Sequence, residues 1–158
     1  MKVAVVMGSK SDYPKLEAGI ELLEKFGIEV VARALSAHRT PNQLMSFLKE
    51  IEEDTDVIIA AAGKAAHLPG VIASHTLIPI VGLPIKSSTL DGLDSLLSIV
   101  QMPPGIPVAT VTIDSGLNAA LMAAQIMSIK YPKVKESLTL YRKDMEEKVL
   151  EADKNLRG

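Results

Sequence analysis

Short apolar segments alternate along this chain with longer segments in which apolar and polar residues are mixed. Short segments rich in valine, isoleucine and alanine are typical of strands buried on both faces of a parallel sheet, since their side chains meet water on neither side. Five such segments predict strands at Val3–Met7, Ile28–Leu35, Val57–Ala61, Ile78–Leu83 and Pro107–Ile113.

The mixed segments place apolar residues three or four positions apart, as on one face of a helix. They predict helices from about Tyr13 to Phe26, from the Thr40-Pro41 cap to about Glu53, over 65–74 with a distortion at Pro69-Gly70, and over Leu93–Val100 and Asn118–Ile129. Strands that alternate with helices at these intervals form parallel βαβ units. The sequence therefore predicts an α/β fold, a three-layer sandwich with a parallel sheet between two layers of helices.

The C-terminal segment, residues 131–158, predicts an amphipathic helix that begins at Pro132. Its apolar stripe consists of Val134, Leu138, Tyr141, Met145 and Val149. The other helices already cover both faces of the sheet, so we expect this stripe to pack on a neighbouring subunit. Packing on its own domain, residues 1–130, is the alternative.

The distribution of charge also predicts an oligomer. Residues 57–129 contain only five charged side chains, namely Lys64, Lys86, Asp91, Asp94 and Asp114. A domain of this size cannot bury so long an uncharged segment completely, because most of its residues lie at or near the surface. Part of the segment is therefore expected to face another copy of the chain.

Overall composition excludes several classes of protein. The chain has 158 residues, is 47% hydrophobic, carries a formal charge of −2 and contains no cysteine. These values exclude an intrinsically disordered chain, a protein that binds nucleic acid through a basic surface, and disulfide or thiolate chemistry. No apolar run approaches the ~20 residues of a membrane span, and no signal-peptide layout precedes the first strand, so we expect a cytoplasmic protein.

The candidate chemistry lies in three loops that follow predicted strands, at the edge of a parallel sheet where ligands bind. The first loop, Gly8-Ser9-Lys10-Ser11-Asp12, precedes a helix, and its N–H groups and hydroxyls can bind a phosphate. It matches neither GxGxxG nor the P-loop, which disfavours dinucleotides and nucleoside triphosphates. Asp12 would repel a phosphate and is better suited to a ribose diol. Simple capping of the helix by Ser11 or Asp12 is the alternative.

The second and third loops supply histidine and arginine. Residues 36–41 place His38, a proton carrier near neutral pH, beside Arg39, whose planar guanidinium suits a phosphate. Residues 62–70 place His67 among glycines and alanines small enough for a planar ring to lie against the backbone. A solvent-facing His-Arg pair without a catalytic role is the alternative for the second loop. The histidines lack metal-ligand spacing and the serines lack a GxSxG elbow, so we expect neither a metal site nor a serine nucleophile.

Four motifs together give the chain a specific resemblance to a known family. MGSKSD (7–12), SAHRTP (36–41), AAHLPG (65–70) and DSLLSIVQMP (94–103) occur in the order and spacing of the PurE family of purine biosynthesis, which the chain resembles over roughly residues 3–130. The resemblance implies a flavodoxin-like (Rossmann-like) sheet and a homo-octamer whose sites draw on more than one subunit. It also implies an isomerase that needs no cofactor and converts N5-carboxyaminoimidazole ribonucleotide (N5-CAIR) to 4-carboxy-5-aminoimidazole ribonucleotide (CAIR).

The resemblance further implies roles for individual residues. His38 is the expected catalytic acid and base, with His67 as the second catalytic residue. In the implied mechanism the N5-carboxylate leaves as CO2, remains near His67 and is attacked by C4 of the imidazole, while His38 carries the proton. The expected substrate-binding residues are Ser9, Ser11, Asp12, Ser36, Arg39, Gly63 and Leu68.

A departure from the family pattern at Lys64 keeps a second activity open. The family usually has glycine at the position of Lys64, whereas a branch that carboxylates aminoimidazole ribonucleotide (AIR) directly with CO2 has a basic residue in that region. That branch lacks the histidine of AAHLPG, which this chain keeps as His67, so the mutase is favoured and the AIR carboxylase is the alternative. A non-catalytic nucleotide-sensing module is a second alternative, and it would have no need of His38.

Overall fold

The structure, a computed structural model, describes residues 1–156 and contains a five-stranded sheet. The strand order is β2-β1-β3-β4-β5, and every neighbouring pair is parallel. This order is that of flavodoxin-like folds, which confirms the predicted fold class. The strands are β1 (Lys2–Met7), β2 (Glu29–Ala34), β3 (Val57–Gly63), β4 (Ile80–Ile85) and β5 (Ala109–Thr110).

Helices cover both faces of the sheet. They are α1 (Tyr13–Lys25), α2 (Pro41–Ile51), α3 (Leu68–Ala73), α4 (Leu93–Val100), α5 (Gly116–Ser128) and α6 (Pro132–Leu156). Short 3-10 turns at Lys10–Asp12 and Leu90–Gly92 precede α1 and α4. No described helix is both long enough and apolar enough to cross a membrane.

The central strands are apolar throughout because their side chains enter two separate cores. Val3 and Val5 of β1 point into a core formed with α1, α5 and the start of α6. Ala4 and Val6 point into the other core, formed with α2, α3 and α4. Successive side chains of a strand point to opposite faces, so a strand between two helical layers has no solvated face.

Helices α1 and α5 touch through backbone rather than through side chains. A Cβ atom on Gly19 would lie 2.3 Å from the carbonyl oxygen of Gly116, and one on Gly116 would lie 2.1 Å from the carbonyl oxygen of Lys15. Only glycine at both positions permits this approach. The contact fixes the position of α1, and with it the loop of residues 8–12 that leads into α1.

Helix α6 packs on its own chain over its first turns only. Val134 and Leu138 are buried in the core beneath α5, and the ring of Tyr141 meets that of Phe26 edge to face, with centroids 6.3 Å apart. Every residue from 142 to 156 is exposed, including the stripe residues Met145 and Val149. Packing of this distal part on a neighbouring subunit stays a prediction, and residues 157–158 of the predicted helix lie outside the described residues.

Several element boundaries differ from the sequence-based prediction by one or two residues, and three of the differences have a clear physical reason. Strand β4 ends at Ile85 rather than Leu83, because Pro84 and Ile85 still pair with Ala62 and Gly63 of β3. Helix α3 begins at Leu68, so Pro69 lies in its first turn, where a proline fits, and the predicted distortion is absent. Strand β5 has two residues instead of seven because it pairs regularly with β4 only at Ala109 and Thr110.

Candidate active site at the carboxyl edge of the sheet

A cavity of about 630 Å³ lies beyond the carboxyl ends of β1, β2, β3 and β4. In flavodoxin-like sheets this edge is where ligands bind, because the loops after neighbouring parallel strands converge there. The structure brings all nine sequence-predicted site residues to this one cavity: Ser9, Ser11, Asp12, Ser36, His38, Arg39, Gly63, His67 and Leu68.

The loop after β1 presents two hydroxyls and one carboxylate. The Ser9 Oγ accepts a hydrogen bond from the backbone N–H of Ser11, at 3.3 Å, and lies 2.8 Å from the Ser11 Oγ. Burial raises the pKa of Asp12, and hydrogen bonds from Ser11 and Ser9 offset this only in part. The loop can therefore donate hydrogen bonds to an anion through its serines, while the carboxylate of Asp12 is a strong acceptor for hydroxyl groups.

The loop after β2 is held rigid by its own serine and threonine. The Ser36 Oγ accepts hydrogen bonds from the backbone N–H groups of His38 and Arg39, and the Thr40 Oγ1 accepts one from the backbone N–H of Ser36. The Arg39 Nη2 donates to the carbonyl oxygen of Gly8 at 2.8 Å. This bond joins the loop after β2 to the loop after β1 and places the guanidinium beside the serines.

The two predicted catalytic histidines are in direct contact. The His38 Nε2 lies 2.9 Å from the His67 Nδ1, and the two rings meet edge on at 89°. One of these nitrogens donates and the other accepts, with the roles set by the tautomers, so a hydrogen bond joins the two rings. The sequence predicted each histidine in the site but gave no signal that the rings would touch, since they are 29 residues apart. The pair can accept a proton from a substrate and pass it on.

The loop after β3 turns sharply at Gly63 and Lys64. A Cβ atom on Gly63 would lie 3.2 Å from the carbonyl oxygen of Ile85, so glycine allows β3 to end close against β4. Lys64 follows with a φ of 58°, in the left-handed region. Leu68 is almost fully buried in the core with α2, so only a small part of it faces the cavity. This turn aims the segment with His67 across the edge of the sheet toward His38.

Sequence reasoning missed the residues that β4 contributes to the cavity, namely Ile85, Lys86 and Ser87. The signal in the sequence is the length of β4, because a strand that continues to Ile85 places the next residues at the carboxyl edge of the sheet, beside the other loops. The Lys86 Nζ lies 3.0 Å from the Asp91 Oδ1. The Ser87 Oγ lies 2.8 Å from the Asp94 Oδ2. These two contacts hold the fourth loop against the start of α4.

The remaining histidine lies outside the cavity. The His75 Nδ1 is 2.8 Å from the carbonyl oxygen of Val71 and 2.9 Å from the Ser74 Oγ, which indicates a local structural role at the end of α3. Within residues 1–156 no group of three or more histidine, aspartate or glutamate side chains could hold a metal ion.

Comparison with known proteins identifies the family. The family model described as AIR carboxylase matches residues 2–148 of this chain. The chain belongs to the AIR carboxylase family.

Relatives within the AIR carboxylase family match nearly the whole chain. An N5-carboxyaminoimidazole ribonucleotide mutase of Pyrococcus horikoshii is 56% identical over 155 residues, which cover 98% of this chain and 88% of the relative. A protein of the same name from Thermotoga maritima is 49% identical over 156 residues, 98% of this chain and 91% of that protein. Among solved structures, Treponema denticola PurE superposes with a TM-score of 0.91 at 33% identity and covers 99% of both chains.

Proposed function

We propose that this chain is an N5-carboxyaminoimidazole ribonucleotide mutase, an isomerase of purine biosynthesis that converts N5-CAIR to CAIR. Relatives of about half-identical sequence, aligned over almost the full length, bear that name. The observation that carries the proposal is the 2.9 Å contact between His38 and His67, in a cavity whose other loops supply hydroxyls, a carboxylate and a guanidinium. Such a site combines proton transfer with binding of a phosphorylated nucleoside.

The contacts around the cavity support a division of the substrate between two ends. Arg39 is joined to the loop of Ser9 and Ser11, so these residues form the end suited to the phosphate. Asp12 on the same loop suits the ribose hydroxyls, because a carboxylate accepts hydrogen bonds and repels phosphate. The opposite end, where Gly63 and the histidine pair lie, then receives the imidazole and its carboxyl group.

The chemistry can proceed with one imidazole that acts first as an acid and then as a base. The bond between N5 and the carboxyl carbon breaks, its electron pair returns to N5, and His38 gives a proton to N5 as CO2 departs. C4 of the freed aminoimidazole then forms a bond to the CO2 carbon, and His38 removes the C4 proton to restore the aromatic ring. His67 is hydrogen-bonded to His38 and holds its ring in position during both proton transfers. The histidine ends as it began, so the reaction consumes no oxidant, reductant or external acid.

We also propose that the enzyme is a homo-oligomer of the cytoplasm, with the octamer that the resemblance implies. The support is apolar surface that the lone chain leaves uncovered. Leu93, Leu97 and Val100 form a stripe on α4 in which each residue is roughly half exposed, and Met145 and Val149 are exposed on distal α6. Apolar patches of this kind mark contacts between protein chains.

The AIR carboxylase is distinguished from the mutase by its substrate. The purified protein should form CAIR from N5-CAIR alone, and should form none above background from AIR at low CO2. Faster formation of CAIR from AIR with added bicarbonate than from N5-CAIR would reject the mutase in favour of the carboxylase.

A non-catalytic nucleotide-binding module is tested by substitution of the proposed acid and base. His38→Asn should lower the rate of CAIR formation by about 10²–10⁴-fold, the range of general acid–base catalysis, while CAIR binding measured by calorimetry changes little. His75→Asn is the matched control, because His75 lies outside the cavity, and it should keep the parental rate. Full activity of His38→Asn would exclude the proposed catalytic role.

A further inference from the structure

The positively charged side chains of the cavity differ in the contacts that they make within the protein. Arg39, Lys64 and Lys86 all line it. Arg39 donates to the carbonyl oxygen of Gly8, and Lys86 is paired with Asp91. Within residues 1–156, Lys64 makes no hydrogen bond or ion pair to another residue, and its side chain is exposed at the cavity. Lys64 is thus the cation most available to a bound ligand.

The backbone makes lysine an unfavourable choice at this position. With a φ of 58°, Lys64 occupies the left-handed region, in which a side chain crowds the following carbonyl group and which glycine or asparagine tolerates best. Residues held in such a conformation cluster at binding and catalytic sites, where the arrangement is part of the function. Lys64 therefore stands where the backbone disfavours a side chain, and no contact within the described residues accounts for it.

We propose that Lys64 binds the carboxyl group that moves during the reaction, and so favours carboxylated over uncarboxylated aminoimidazole ribonucleotide. This inference rests on the proposed mutase function. The substrate carries two anionic groups, and Arg39 with the serines suits only the phosphate. Lys64 lies three residues before His67, on the loop whose histidine meets His38. In the proposed mechanism the carboxyl group is transferred beside that pair.

Electrostatics of the cavity support this assignment. Asp12 is the one carboxylate that lines the cavity among the described residues, and it belongs to the loop after β1 rather than to the loop of Lys64. An ammonium group with no acidic partner is free to pair with a ligand anion. Ion pairs that involve a charged hydrogen bond contribute enough to change an affinity about tenfold.

The experiment compares two nucleotides that differ only in the carboxyl group. Dissociation constants of CAIR and AIR are measured by calorimetry for the wild-type protein and for Lys64→Gln, which keeps a polar side chain and removes the charge. We expect CAIR to bind about tenfold more weakly to the variant, and AIR to bind with an affinity unchanged within twofold. Lys49→Gln, an exposed lysine on α2 outside the cavity, is the matched control and should change neither affinity.

A second variant separates the charge from the backbone. Lys64→Gly removes the side chain at a position whose φ suits glycine, so it should fold at least as well as wild type and show the same selective loss of CAIR affinity. In steady-state kinetics both variants should raise the KM for N5-CAIR about tenfold with kcat changed less than threefold. Equal weakening of CAIR and AIR, or no weakening of either, would overturn the role of Lys64.

The outcome also distinguishes this inference from the proposed function. If the wild-type protein converts N5-CAIR to CAIR but the Lys64 variants do not lose CAIR affinity selectively, only the proposed role of Lys64 is refuted. A wild-type protein that binds neither nucleotide and forms no CAIR refutes the mutase function, and the inference about Lys64 with it.

Discussion

Substitution of Gly19 by alanine tests the backbone contact between α1 and α5. The added Cβ would lie 2.3 Å from the carbonyl oxygen of Gly116 and 2.8 Å from its carbonyl carbon, so the helices must separate by about 1 Å. Neither atom can rotate away, because both belong to backbone, and overpacking of this kind costs about 3 kcal/mol at the upper end of its usual range. Alanine returns about 1 kcal/mol through its higher helix propensity. The net loss of unfolding free energy is therefore about 2 kcal/mol.

The assay is thermal unfolding followed by circular dichroism. A loss of about 2 kcal/mol lowers the melting temperature of a chain of this length by about 4–8 °C. Gly116→Ala should destabilise in the same direction, since its Cβ would lie 2.1 Å from the carbonyl oxygen of Lys15. Glu17→Ala, at an exposed position of the same helix, is the control and should change stability by less than about 0.5 kcal/mol.

The same variant links the packing of α1 to the site. Separation of α1 from α5 displaces the loop of residues 8–12, so Gly19→Ala should also weaken CAIR binding at temperatures where the protein is folded. A Gly19→Ala protein that melts at or above the wild-type temperature would show that the two helices do not touch through their backbones, and the account of this layer would be wrong.

Three further predictions concern single polar groups. Burial raises the pKa of Asp56, but hydrogen bonds from Tyr131 and two lysines outweigh it and leave the pKa lowered. Ionised Asp56 therefore stabilises the fold fully above the unfolded pKa of about 4, and this stabilisation is lost as pH falls through the lower folded pKa. Asp56→Asn should lower the melting temperature at pH 7, and its difference from wild type should shrink as the solution becomes more acidic. Because burial raises the pKa of Asp12, its carboxylate takes up a proton at a higher pH than an ordinary aspartate. As pH falls from neutrality, CAIR affinity should therefore fall more steeply in wild type than in Asp12→Asn, as calorimetry would show. The buried Ser95 Oγ lies 2.9 Å from the carbonyl oxygen of Ile85, so Ser95→Ala should cost about 1–2 kcal/mol in urea unfolding, and a neutral result would contradict this bond.

The central sheet could be predicted from sequence because its signal is local. Strands β1 and β3 are continuous apolar runs, and burial on both faces requires this at every position. Strand β5 is shorter than its sequence suggests, because the segment Pro107–Ile113 is rich in β-branched residues while its pairing depends on a single neighbour, β4. The sequence does not show that β4 continues to Ile85, because a proline such as Pro84 is rare inside a strand and only the register with β3 carries the strand past it.

Sequence predicted many of the residues that line the candidate site, but it missed those after β4 and gave no contacts between the residues it named. Histidine, arginine and serine after strand ends are visible in the sequence, and the parallel topology brings those ends together. The distance between His38 and His67 depends on the left-handed turn at Lys64 and the close approach of Gly63 to β4. Both are properties of the folded backbone that composition and spacing do not encode.

Every residue that lines the cavity lies between positions 8 and 87, whereas α5, which holds α1 and covers one face of the sheet, begins at Gly116. A ribosome therefore synthesises all the residues that line the cavity well before it synthesises α5. Any product that stops between the two would contain the full set of reactive side chains on a sheet whose α5 face is only partly covered, and would be a substrate for chaperones and proteases rather than a working fragment.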